Sequence, residues 1–152
     1  MIPLAVGIAG IAITVGLQSI ATSIILRKLR SIAQASSREW EKKHRVLILG
    51  IVASCLAVKH YIDMVLWAFA YWAFDVRQEF DEFESALYFS SVTYTGLGYG
   101  DIVLTGSWRL MCGLQAMNGI LLFGWSAALL FLIVQRLLIV EQHEDQLKSE
   151  RN

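Results

Sequence analysis

Glycine alternates with larger residues in one short stretch of the chain, which consists of Thr95, Gly96, Leu97, Gly98, Tyr99 and Gly100. An acidic residue, Asp101, follows directly. Glycine adopts backbone angles of either sign at little steric cost, so an extended segment of this kind can turn successive carbonyl oxygens to one side. Rings of such oxygens can replace the water shell of a dehydrated cation. The stretch therefore predicts cation coordination by backbone, provided that neighbouring elements hold it in place.

Long apolar runs flank this stretch. Hydrophobic residues make up 56% of the 152-residue chain, and the apolar runs cover residues 2–26, 46–74 and 108–140. About 20 apolar residues suffice to cross the hydrocarbon core of a bilayer as a helix. Residues 85–100 are too few to cross and return as two helices. We therefore expect an all-α membrane protein with three transmembrane helices and one re-entrant segment, a short pore helix capped by Ser85 that returns as extended chain.

Charge and cysteine content argue against several other classes of protein. Basic and acidic residues number 13 each, so nothing indicates nucleic acid as a partner. The two cysteines, Cys55 and Cys112, lie in apolar runs and are interpreted as packing residues. The sequence shows no catalytic cluster and no motif for a bound cofactor. We therefore expect neither an enzyme nor a cofactor protein.

Basic and acidic residues are separated along the chain. Residues 27–45 contain seven Lys or Arg, whereas residues 75–84 contain five acidic residues and one arginine. Because basic loops stay on the cytoplasmic side, this pattern predicts a cell-membrane protein with an external N-terminus and a cytoplasmic C-terminus. The glycine stretch then lies on the external side. The acidic segment either concentrates cations there or is simply a solvated turn.

The glycine stretch resembles the selectivity filter of the potassium-channel pore-domain family, whose signature is Thr-Val-Gly-Tyr-Gly-Asp. Aligned on Gly98-Tyr99-Gly100-Asp101, Leu97 takes the valine position and Gly96 takes the threonine position. Thr95 then precedes the filter. The resemblance implies that Asp101 bonds behind the filter and that Tyr88 and Phe89 form an aromatic pair that braces it.

The resemblance also implies function and assembly. It predicts a homotetramer in the lipid bilayer that conducts K⁺ passively, with K⁺ as permeating ion and no cofactor. Because Gly96 lacks the threonine hydroxyl, a weakly selective Na⁺/K⁺ cation channel is the alternative. A transporter that reuses the pore loop and a membrane sensor are further alternatives, although only one pore loop is found.

The apolar runs, the charge pattern and the resemblance together divide the chain into segments. These are an N-terminal transmembrane helix at 1–26, a basic cytoplasmic linker at 27–45, a channel pore domain at 46–140 and a cytoplasmic tail at 141–152. The pore domain comprises an outer helix at 46–74, an acidic outer segment at 75–84, a pore helix at 85–95, a filter at 96–101 and an inner helix at 108–140.

Polar and small residues in the third apolar run have two interpretations each. Gly119 and Gly124 either let the inner helix bend at a gate or let helices pack closely, with Gly119 the better hinge. Asn118 either lines a cavity below the filter or makes a structural hydrogen bond. Gln115 lies on the same helix face and is expected to brace the pore helix.

Three ionisable residues interrupt the second apolar run. Lys59 and Asp63 are spaced to pair on one helix, and His60 lies beside Lys59. Ionisable groups within the membrane are candidates for function, here gating, although a position near the membrane interface also explains them.

Overall fold

The protein is described by a computed structural model that covers residues 1–35, 42–74, 80 and 82–151. Within these ranges the chain forms helices and irregular segments and no β-strand. Its elements are α1 (Ile2–Ala35), α2 (Lys42–Ala73), α3 (Phe83–Tyr94), a 3₁₀ turn (Gly106–Trp108) and α4 (Arg109–Arg151).

Three segments are long and apolar enough to cross a membrane: Ile2–Ser31, Val46–Ala73 and Gly106–Arg136. The prediction of an all-α fold with three spans is therefore confirmed. The helices α1 and α4 continue beyond the apolar runs, to Ala35 and Arg151. The added residues include no glycine or proline and are mostly good helix formers, so nothing in them ends a helix.

The short helix α3 lies between α2 and α4 in the chain and packs against both. It begins at Phe83, and the residue before it, Glu82, has extended backbone angles and no capping side-chain hydrogen bond. The expectation that Ser85 caps this helix is therefore wrong, because Ser85 lies within its first turn. The helix ends at Tyr94, with Thr95 as its C-terminal cap.

The order of contacts along the helices shows that α1 runs parallel to α4 and that α2 runs antiparallel to both. Close approach is possible because two glycines of α1 face large side chains. A Cβ atom on Gly7 would lie 2.6 Å from Leu114 Cδ1, and one on Gly10 would lie 3.0 Å from the Trp67 ring. Small residues serve this purpose where helices pack in lipid. The N-terminal helix therefore packs along α2 and α4 of its own chain.

Buried apolar side chains form two clusters. The cluster near the glycine stretch, here called the filter cluster, consists of Trp67, Tyr71, Phe80, Ala86, Phe89, Tyr94, Leu104, Met111 and Leu122. The second cluster, at the other end of the bundle, consists of Val52, Leu56, Leu129 and Ile133. Among the described residues, all buried Trp, Tyr and Phe side chains belong to the filter cluster, so aromatic packing supports the end of the molecule that carries the glycine stretch.

Candidate functional site

The end of α3 is closed by the first residues of the glycine stretch. The Leu97 amide donates to the Val92 carbonyl at 3.0 Å, and the Gly96 amide donates to the Thr93 carbonyl at 3.1 Å. Gly96 has φ +74°, a left-handed conformation. Together these features form a Schellman motif, in which a left-handed glycine directly after a helix satisfies its last carbonyls. Gly96 therefore closes the C-terminal end of α3, one residue after the cap residue Thr95.

The same cap involves the C-terminal carbonyls of α3, which carry the negative end of the helix dipole. The Val92 and Thr93 carbonyls accept hydrogen bonds from amides of residues 96–98, and the Ser91 carbonyl accepts one from the Thr95 amide. These three carbonyls are thus hydrogen-bonded within the chain.

Every second residue of 96–100, here called the filter segment after the predicted filter, is left-handed. Gly96, Gly98 and Gly100 have φ of +74°, +56° and +80°. The side chains of the residues between them, Leu97 and Tyr99, are exposed. Such alternation requires glycine at these three positions, because other residues rarely adopt positive φ. The backbone therefore has the alternating conformation from which aligned carbonyls were expected.

A hydrogen bond connects α3 to the end of the filter segment. The Tyr88 hydroxyl donates to Asp101 Oδ2 at 2.7 Å. This bond holds the pKa of the Asp101 carboxyl below its ordinary value, because it favours the charged form. Phe89 points elsewhere: its ring is buried and packs edge-on against Tyr71 at a centroid distance of 5.2 Å. The two aromatic residues therefore have different surroundings, one beside the filter segment and one in the filter cluster.

Gln115 holds α3 against α4. Its amide nitrogen donates to the Ser90 carbonyl at 3.1 Å and to Ser90 Oγ at 2.7 Å. The Tyr71 hydroxyl of α2 donates to Gln115 Oε1 at 2.7 Å, and Ser90 Oγ donates to the Met64 carbonyl at 2.7 Å. The prediction that Gln115 braces the pore helix is confirmed. Buried polar networks with these bonds made fix the relative position of the helices that supply them.

The other residues predicted in the inner helix lie in three different environments. Asn118 is fully buried and donates to Thr14 Oγ1 of α1 at 2.8 Å, so its side chain faces α1. A Cβ atom on Gly119 would clash with the Tyr94 carbonyl oxygen, so this glycine lets α4 approach the end of α3 closely. A Cβ atom on Gly124 would have no neighbour within 4 Å.

The ionisable cluster of α2 reaches the end of α3. Lys59 Nζ lies 2.6 Å from Asp63 Oδ2, which confirms the predicted pairing. The same Asp63 oxygen accepts a hydrogen bond from the Tyr94 hydroxyl at 2.8 Å, and His60 Nδ1 lies 3.1 Å from that hydroxyl. Neither Tyr94 nor the partners of His60 on other helices were identified from the sequence. The sequence feature that could have indicated these partners is a polar residue isolated in an apolar run, such as Ser126.

Parts of the predicted site lie outside the described residues. These are most of the acidic outer segment (75–79 and 81), the middle of the basic linker (36–41) and the side chains of the C-terminal tail. Within the described part of the chain, no group of three or more His, Cys, Asp and Glu side chains is placed to hold a metal ion. The candidate cation ligands are therefore the backbone carbonyls of residues 96–100.

Fold and site together define a class of protein. Three membrane-spanning helices and a short helix that leads into a glycine-rich backbone segment are the parts of a channel for ions. The model of the family described as "Ion channel" matches residues 46–136, more than half of the chain. The chain belongs to this ion channel family and is a multi-pass membrane protein. Comparisons with curated proteins and with solved structures gave no match.

Proposed function

We propose that this protein is a potassium-selective channel in which four copies of the chain surround one pore. One filter segment supplies a single carbonyl at each level, and a ring of four is needed to replace the water around a K⁺ ion. The observation that carries the proposal is the left-handed glycine at every second position of residues 96–100, directly after the capped end of α3. Membership of the ion channel family supports it.

The conduction path follows from this arrangement. Hydrated cations reach the filter from the side of Asp101, where the acidic outer segment attracts them. They shed water to the carbonyls of Leu97, Gly98 and Tyr99, with Gly96 as the innermost ring, and continue along α4. The basic residues of the linker support a cytoplasmic position for that end of the bundle. No bond is formed or broken, and the permeating ion is the only ligand.

A weakly selective cation channel is the second candidate. It is favoured by the geometry at Gly96, which has no side-chain oxygen and whose amide caps α3. The innermost ring then consists of carbonyls alone. The upper rings, formed by the residues that resemble the potassium-channel signature, are unaffected by this difference and support K⁺ selectivity.

A flux assay in liposomes tests ion conduction through this segment. K⁺-loaded liposomes that contain the protein, diluted into Na⁺ buffer with a proton carrier, are expected to release K⁺ and take up protons. Gly98→Ala is expected to abolish the flux, because alanine at φ +56° is disfavoured by about 1–2 kcal/mol in each subunit. Gly113→Ala is the control, since a Cβ atom there has no neighbour within 4 Å. Equal flux with Gly98→Ala and the wild type would contradict the proposal.

A further inference from the structure

A chain of buried hydrogen bonds connects all four helices and ends beside the filter. We call it the cross-bundle chain; its members are Gln18 of α1, Ser126 of α4, His60 and Asp63 of α2, and Tyr94 of α3. The links are Gln18 Nε2 to Ser126 Oγ at 3.1 Å, Ser126 Oγ to His60 Nε2 at 2.9 Å, His60 Nδ1 to the Tyr94 hydroxyl at 3.1 Å, and that hydroxyl to Asp63 Oδ2 at 2.8 Å.

Every link has a donor and an acceptor when the protons all point along the cross-bundle chain toward Asp63. The Tyr94 hydroxyl gives its proton to Asp63, so its oxygen accepts from His60 Nδ1. His60 in this tautomer has an acceptor at Nε2, to which the Ser126 hydroxyl donates. Ser126 in turn accepts from the Gln18 amide. With a neutral His60 and an ionised Asp63, this arrangement of protons gives every link of the cross-bundle chain a donor and an acceptor.

Burial makes these links costly to break. Gln18, Asp63 and Tyr94 are fully buried, and His60 and Ser126 are nearly so. The Phe123 ring covers His60 at a centroid distance of 4.5 Å and Tyr94 at 5.4 Å. A polar group that loses its partner in such surroundings has no water to replace it. The cross-bundle chain therefore resists separation of the helices that it connects.

Tyr94 is the last residue of α3, two positions before Gly96. Its hydroxyl is held by Asp63, and its backbone carbonyl lies against Gly119 of α4. The amides of Gly96, Leu97 and Gly98 depend on the same helix end, because they donate to the Val92 and Thr93 carbonyls. A shift of Tyr94 would move the start of the filter with it.

We infer that Tyr94, through its hydroxyl bond to Asp63, is a positioning residue for the filter. The inference rests on the proposed function of residues 96–100. The cross-bundle chain extends this control to α1, which lies outside the segment matched by the ion channel family. The N-terminal helix is thereby coupled to the filter through Gln18, Ser126 and His60.

Hydrogen exchange in the full-length protein in lipid nanodiscs tests this inference. Tyr94→Phe keeps the ring and removes only the hydroxyl. We expect amide exchange in peptides covering Gly96 to Gly98 to accelerate roughly 10- to 100-fold, as expected for a lost hydrogen bond to a charged acceptor. Tyr61→Phe, an exposed tyrosine on the same helix as Asp63, is the matched control and is expected to leave exchange unchanged.

Ser126→Ala tests the branch toward α1 and serves as a second variant if Tyr94→Phe does not fold. It leaves His60 Nε2 without its partner and is expected to accelerate the same amides to a smaller extent. Ser54→Ala, at an exposed serine that bonds only within its own helix, is the control. Exchange in residues 96–98 that equals the control variants would overturn the inference. So would uniform acceleration across α2, α3 and α4, because that indicates general loss of stability.

Ion selectivity provides a readout that a merely structural role would not change. In channels that conduct, Tyr94→Phe is expected to reduce K⁺ over Na⁺ discrimination, whereas Tyr61→Phe retains the wild-type ratio. A wild-type protein that fails to conduct would refute the proposed function. The exchange result in residues 96–98 would still decide whether Tyr94 positions this segment.

Discussion

Replacing Asp63 by asparagine is expected to destabilise the folded protein by about 3–5 kcal/mol, because it leaves Lys59 as an uncompensated buried charge. The Lys59 side chain is 11% exposed and Asp63 is fully buried, so water cannot replace the lost carboxylate. The Tyr94 hydroxyl would lose its charged acceptor at the same time. The loss is measurable as a lower midpoint of thermal unfolding in detergent or nanodiscs.

A double variant tests whether the unpaired charge of Lys59 causes this loss of stability. Lys59→Met combined with Asp63→Asn removes both charges and is expected to recover much of the stability, since no uncompensated buried charge is left. Glu84→Gln makes the same chemical change at an exposed position and is expected to have a small effect. Wild-type stability of Asp63→Asn alone would contradict the buried ion pair.

Replacing Gly96 by threonine, the residue at this position in the potassium-channel signature, is expected to damage the filter and not to repair it. A β-branched residue at φ +74° costs roughly 1–3 kcal/mol, or roughly 4–12 kcal/mol over the four chains of the proposed tetramer. Space is not the problem, since the nearest atom to an added Cβ is Ile120 Cδ1 at 3.9 Å. The strain therefore comes from the backbone alone.

Heating followed by size-exclusion chromatography measures this effect as the loss of assembled protein. Gly96→Ala is expected to be less harmful than Gly96→Thr, because alanine is not β-branched. Gly50→Thr is the control, a helical glycine without neighbours around an added Cβ. If Gly96→Thr were as stable as the wild type and more selective for K⁺, residue 96 would have to adopt an ordinary negative φ, and the Schellman cap would be wrong.

The spans were predictable because membrane helices are determined by the length and apolarity of a run, which are local properties. Helix ends were less predictable. The sequence offered Ser85 as a cap, but α3 starts at Phe83, where the chain turns at Glu82 without help from a side chain. The continuation of α4 to Arg151 was missed because its last residues are polar, although polarity does not end a helix.

The interactions at the site depend on contacts between distant residues. The pairing of Lys59 with Asp63 follows from spacing on one helix, and Gln115 was placed correctly by its position on α4. The links of Gln18 to Ser126 and of His60 to Tyr94 cross between helices, so no local pattern reveals them. The cap at Gly96 carried a recognisable signal, a glycine directly after a helix. The resemblance to a filter instead assigned Gly96 to the threonine position of the signature.

The reversal potential of the wild-type protein in planar bilayers, under opposed K⁺ and Na⁺ gradients, tests the central claim most directly. A potassium-selective filter built from the carbonyls of residues 96–99 predicts a value near the K⁺ equilibrium potential. A current that reverses near zero would contradict potassium selectivity and establish the weakly selective cation channel instead.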